Sequence, residues 1–104
     1  MVIYEVNLDV DHDIFNDYYY WLMEHIKEML KFDGFKKAEI GLIEHQEEQA
    51  KMKIRVSYTI ASYDSLQAYL SQHAEKMRAD AVNKFGDKFI ASRRIIKDPI
   101  ILEA

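Results

Sequence analysis

Residues 2–10, VIYEVNLDV, alternate strictly: Val2, Tyr4, Val6, Leu8 and Val10 fall on one face, Ile3, Glu5, Asn7 and Asp9 on the other. A period of two marks a half-buried strand. Asp11 and Asp13 offer an N-cap and favourable charge for a helix start. Ile14, Tyr18, Trp21, Leu22, His25, Ile26 and Met29 then recur at helical spacing. Gly34, beyond Leu30 and Phe32, is the expected C-cap. A further run follows over residues 36–45, and the alternating pattern returns clearly over 51–60, where Met52, Ile54, Val56, Tyr58 and Ile60 oppose Lys53, Arg55, Ser57 and Thr59. The polar QEEQA between these runs predicts a hairpin. Ser62 or Asp64 caps a second helix with one apolar stripe, Leu66, Tyr69, Leu70, His73, Met77, Ala81 and Phe85, ending at Gly86. KFIASRRIIK supplies a last strand, Asp98–Pro99 stops it, and IILEA is a tail.

The order β-α-β-β-α-β with right-handed crossovers predicts an α+β, ferredoxin-like domain over residues 1–104, with both helices on one face of a four-stranded antiparallel sheet. The first and third strands should be central. Neighbouring residues of a strand point to opposite faces, so Arg93 and Arg94 must part company. Phe89 is too large and apolar to leave uncovered, which puts Phe89, Ala91, Arg93 and Ile95 under the helices and sends Arg94 to the polar face near Glu5. Arg93 then lies at the edge of the helix layer, its stem packed and its head directed at solvent or an acid such as Asp80.

Composition narrows the chemistry. At 104 residues the chain makes one domain. It has no cysteine, which removes disulfides, thiolate zinc sites, iron–sulfur clusters and cysteine nucleophiles. A net charge of −4 argues against a nucleic-acid partner. No apolar run is long enough to span a membrane, and MVIYEVNLDV does not read as a secretory signal, so a cytoplasmic address is expected. The open faces of the first and third strands lack stacking aromatics, against an RNA-recognition domain. There is no glycine-rich phosphate loop and no GxSxG. No cofactor is expected.

The candidate ligand-binding residues are those of the polar sheet face: Glu5, Asn7, Arg55, Ser57 and Arg94. If enclosed, these charges need each other or a ligand to offset desolvation. The plainer alternative is an ion-pair cluster, solvated or covered by a second copy of the chain. Further candidates are His25, His73, Arg78 and Arg93. His25 and His73 fall on the inner stripes of neighbouring helices and could begin a metal site, but no third ligand stands at a recognisable spacing, so none is expected. In DYYYWLMEH, Tyr18 and Trp21 lie on the core stripe, while Tyr19 and Tyr20 on its flanks suit contact with a second chain.

IYEVNL (3–8), WLMEHIKEML (21–30) with Phe32 and Gly34–Phe35, YTI (58–60) and, above all, YLSQHAEKMRADAVNKFGDKFIASRR (69–94) resemble an uncharacterised bacterial family of single-domain proteins of this length. The resemblance implies the dimeric α/β barrel, in which two ferredoxin-like sheets close around a shared interior. That superfamily holds cofactor-free monooxygenases, small isomerases, decyclases and effector-sensing domains. It directs attention to Arg78, Arg93 and Arg94, with His73 beside them. Fold analogy does not establish function, and no catalytic motif of the superfamily carries over. Two readings follow: a homodimeric small-molecule-binding or accessory module, or a cofactor-independent enzyme of oxygenase or isomerase type. In the enzyme, His25, His73 or Glu5 would be the acid or base, acting on an organic molecule in the barrel interior.

Overall fold

The computed structural model describes residues 1–44 and 51–104. The elements are β1 (Val2–Val10), α1 (Phe15–Met29), β2 (Phe35–Ile43), β3 (Met52–Ile60), α2 (Tyr63–Gln72), α3 (Ala74–Phe85) and β4 (Phe89–Lys97), with a 3-10 turn at His12–Ile14 before α1. The strands form one sheet in the order β2-β3-β1-β4, every pair antiparallel. This is the ferredoxin-like arrangement. Within one chain the sheet stays open, with β2 and β4 as edges, and does not close into a barrel. The hairpin tip expected over QEEQA lies outside the described residues.

The alternation decides which side of the sheet is covered. Val2, Tyr4, Leu8 and Val10 of β1 and Ile54, Val56, Tyr58 and Ile60 of β3 are buried beneath Tyr18, Leu22, Ile26 and Met29 of α1 and Leu66, Tyr69 and Met77 of α2 and α3. The β1–β4 register sets Glu5 opposite Arg94 and Val6 opposite Arg93. Phe89 and Ala91 pack against the core. Arg93 therefore shares the helix side with them, and Arg94 takes the open face.

The second helix departs from expectation. It is not one rod but two helices that meet at His73, whose backbone (φ −131°, ψ −25°) leaves the helical region. A straight helix carrying Leu66, Tyr69 and Leu70 inward would also turn His73 inward. At the break Ala74 takes the inward place expected of His73, which is exposed, while Met77 and Ala81 are buried as expected. His73 instead lays its ring on Phe32, centroids 4.5 Å apart. Leu70, expected in the core, is only half-buried.

Two caps also differ. The Asp11 side chain caps nothing, and Asp13 pairs at 2.5 Å with Lys88 of the α3–β4 turn. Leu30, not Gly34, ends α1; Gly34, at φ +85°, turns the chain into β2. Ser62 is the cap of α2, its hydroxyl accepting from the Ser65 amide at 3.1 Å.

Candidate functional site

Two regions of the fold gather chemistry, one on each side of the sheet. On the open face, Arg94 Nε donates to Glu5 Oε1 at 2.5 Å and Asn7 Nδ2 donates to the same oxygen at 3.0 Å. Cross-strand register brings the arginine there, and the two-residue strand repeat brings the amide. The Glu5 side chain is 7% exposed while that of Arg94 is 70% exposed. The carboxylate is thus covered by its own partners rather than sunk in the core. The hydrogen bonds from Arg94 and then Asn7 hold its pKa below the ordinary carboxylate value, against the opposing effect of burial.

Arg55 does not join this cluster. Its guanidinium turns to Glu39 of β2 at 2.6 Å. Arg55 and Ser57 line a hollow of about 460 Å³ that Pro99 and Ile101 also border, which includes neither Glu5, Asn7 nor Arg94. The structure therefore hydrogen-bonds Glu5, Asn7 and Arg94 together; Ser57 and Arg55 lie across the strand from Glu5 and Asn7, and the Arg55 charge helps to lower the Glu5 pKa, but the Arg55 hydrogen bond goes to Glu39.

On the other side, a cavity of about 280 Å³ opens between the helices and the sheet. Ala81 of α3 and Ala91 of β4 stand on its wall and are too short to fill it. Tyr18 and Trp21 of α1, Tyr58 of β3, Tyr69 of α2 and Phe89 of β4 supply aromatic surface, with Met29 and Met77 between them. The polar groups are His25 of α1, Arg78 of α3 and Arg93 of β4. Three of the four further candidates thus share one cavity. His73 lies apart, beside a smaller hollow with Phe32 and Tyr69.

The partners of these groups differ from expectation. Asp80 does not take Arg93; its carboxylate stands 3.8 Å from Lys76. Among the described residues Arg93 makes neither a hydrogen bond nor an ion pair. Arg78 Nη2 donates to the Tyr4 hydroxyl at 3.0 Å, which ties one edge of its guanidinium to the sheet. His25 stacks on Trp21 with centroids 4.7 Å apart. Burial lowers the His25 pKa from its ordinary value; Asp80 opposes this and Arg93 adds to it. Burial likewise raises the Tyr18 and Tyr58 hydroxyls, and pushes Tyr69 up to about 12. At neutral pH the cavity therefore presents neutral phenols and a neutral imidazole between two cations. Among the described residues no group of three His, Asp or Glu side chains is placed to hold a metal ion.

The His25 assignment has a direct consequence. Its imidazole should titrate below about 6.5, the unperturbed value, when followed by NMR. Because the folded state disfavours the imidazolium, its stabilising effect is complete above that pH and is lost as pH falls through the folded pKa. His25→Gln should flatten the stability–pH curve in that window. A His25 midpoint at or above the unperturbed value would contradict the buried, neutral imidazole.

The inward tyrosines were missed as site residues. Tyr4, Tyr58 and Tyr69 occupy strand and helix positions that read as ordinary core from periodicity alone. The available signal was chemical: three inward phenols in a small core each need a polar neighbour.

The fold has solved relatives. SnoaB of Streptomyces nogalater, a cofactor-independent oxygenase, superposes with a TM-score of 0.67 at 12% identity, covering 99% of this chain and 98% of that one. A Deinococcus radiodurans protein, proposed to be an antibiotic biosynthesis monooxygenase, reaches 0.68 at 10% identity over all of both chains. A Bacillus halodurans protein of the ethyl tert-butyl ether (EthD) family reaches 0.60 at 20% identity, covering 95% of this chain and 100% of its own. These likenesses establish the fold alone. No curated protein matches the chain. The sequence profile described as "Domain of unknown function (DUF4286)" matches residues 1–98, and the chain belongs to that family.

Proposed function

We propose that the protein is a homodimeric module that binds a small organic molecule in the cavity between its helices and its sheet. The carrying observation is the cavity itself: apolar and aromatic walls with a few polar groups converging from different elements, the usual build of a ligand site. This moves the site from the open face, where Glu5, Asn7 and Arg94 satisfy one another. That face, with Ile3 half-buried and Ile90 58% exposed beside the charges, suits pairing with a second copy. Exposed Ile100, Ile101 and Leu102 add apolar surface at its margin. Such pairing would form the barrel that one chain leaves open. The cysteine-free, net-negative composition favours a reducing cytoplasm and disfavours nucleic acid as a partner.

A cofactor-independent enzyme is the second reading, and His25 is the observation that favours it. A neutral imidazole on the cavity wall can accept a proton from a bound molecule, and Arg93 beside it would stabilise the resulting anion.

Native mass spectrometry of the gently purified protein tests the binding reading. Two chains carrying a small-molecule adduct are expected. Ala81→Leu, which fills the cavity from α3, should keep the dimer and lose the adduct. An adduct retained by Ala81→Leu and by Ala91→Leu would place the ligand elsewhere, and a species of 12.3 kDa alone at tens of micromolar would remove the dimer.

A further inference from the structure

We infer that the cavity selects an anion, and that its ligand is a one- or two-ring aromatic carboxylate held by Arg78 and Arg93. The inference rests on the reading of this cavity as a ligand site.

The two arginines reach the cavity from separate elements, α3 and β4, and no Asp or Glu lines it. Both are exposed as residues and so stand at its open end. Arg78 commits one amino group to Tyr4, which fixes the guanidinium and leaves its other donors uncommitted. Arg93 makes no hydrogen bond or ion pair among the described residues; its charge acts on Tyr18, His25, Tyr58 and Tyr69, none of them an acid at neutral pH. The nearby acid, Asp80, lies outside the cavity wall and beside Lys76. This local positive pole occurs in a chain whose net charge is −4, so it does not follow from the overall balance. A planar guanidinium matches a carboxylate in a two-point fork.

The walls define the rest of the ligand. Trp21, Tyr18, Tyr58 and Phe89 offer flat apolar surface below the charged rim, suited to a ring that carries its charge at one end. The volume of about 280 Å³ falls just below the range for drug-sized ligands, roughly 300–1,000 Å³, which limits the molecule to one or two rings. The field of Arg93 reaches Tyr18, His25, Tyr58 and Tyr69, in each case opposing positive charge or favouring negative charge at that group.

Isothermal titration calorimetry of the full chain with benzoate and 1-naphthoate, each against its neutral amide, tests the inference. At low salt at least one acid should bind about tenfold or more tighter than its amide, as expected when charge-assisted hydrogen bonds replace neutral ones. The preference should collapse in the Arg78→Gln/Arg93→Gln double variant, with amide binding preserved, and should persist in Lys31→Gln, which removes a cation far from the cavity. Amides that bind as tightly as acids would overturn the anion assignment while sparing the cavity as a ligand site. An acid preference that survives the double variant would overturn the role of the two arginines. No binding of either acid or amide would overturn this inference, while an adduct lost on Ala81→Leu would still uphold the cavity.

Discussion

Gly34→Ala should destabilise the protein by about 2–5 kcal/mol, combining the strain of a side chain at positive φ with overpacking. Gly34 sits at φ +85°, and a Cβ placed there would lie 2.5 Å from both the Cβ and the Oγ of Ser65. Ser65 cannot retreat freely. Its amide donates to the Ser62 hydroxyl that caps α2, and Gly34 itself accepts from the Ala61 amide at 2.8 Å to hold the β2 entry against β3. The substitution thus pushes on the joint between the α1–β2 turn and the start of α2. Urea unfolding measures the loss. Gly34→Ala/Ser65→Gly should recover part of it by removing the clash while leaving the backbone strain, a coupling that a double-mutant cycle isolates. A loss below about 1 kcal/mol in the single variant would mean that the turn relaxes without cost, against the usual penalty for non-glycine residues there.

Leu66→Ala should cost about 2–5 kcal/mol, the range for removing a fully buried leucine. Leu66 is completely buried in the core cluster, with no solvent into which the cavity could open. Leu70, one turn on, is half-buried, and Leu70→Ala should cost clearly less. The contrast reports the phase of α2, which turns Leu66 into the core and leaves Leu70 at its edge. Equal losses at the two positions would contradict that phase.

Periodicity carried most of the fold. The alternation of 2–10 and 51–60 placed the central strands and their covered faces, and the size of Phe89 was enough to phase β4 and part Arg93 from Arg94. The break at His73 was not legible, because residues 66, 69, 70, 73 and 77 satisfy a straight helix equally well. Nothing local in the sequence shows that Phe32 offers a ring for His73 to stack on. The site was legible only in pieces. Arg78 and Arg93 drew attention from the resemblance, yet their convergence depends on α3 and β4 lining one cavity. The pairing of Arg55 with Glu39 depends on the β2–β3 register. Cavities are the least legible feature of all: Ala81 and Ala91 read as good packing residues, and only the assembled layers show that they leave room.

The direct test of the account is a crystal structure of the protein purified without added ligand. The account predicts density for a small molecule between the helices and the sheet, against Tyr18, Trp21 and Tyr58 and within hydrogen-bonding reach of Arg78 or Arg93. Density lying instead on the open sheet face, over Glu5, Asn7, Arg55, Ser57 and Arg94, would contradict it.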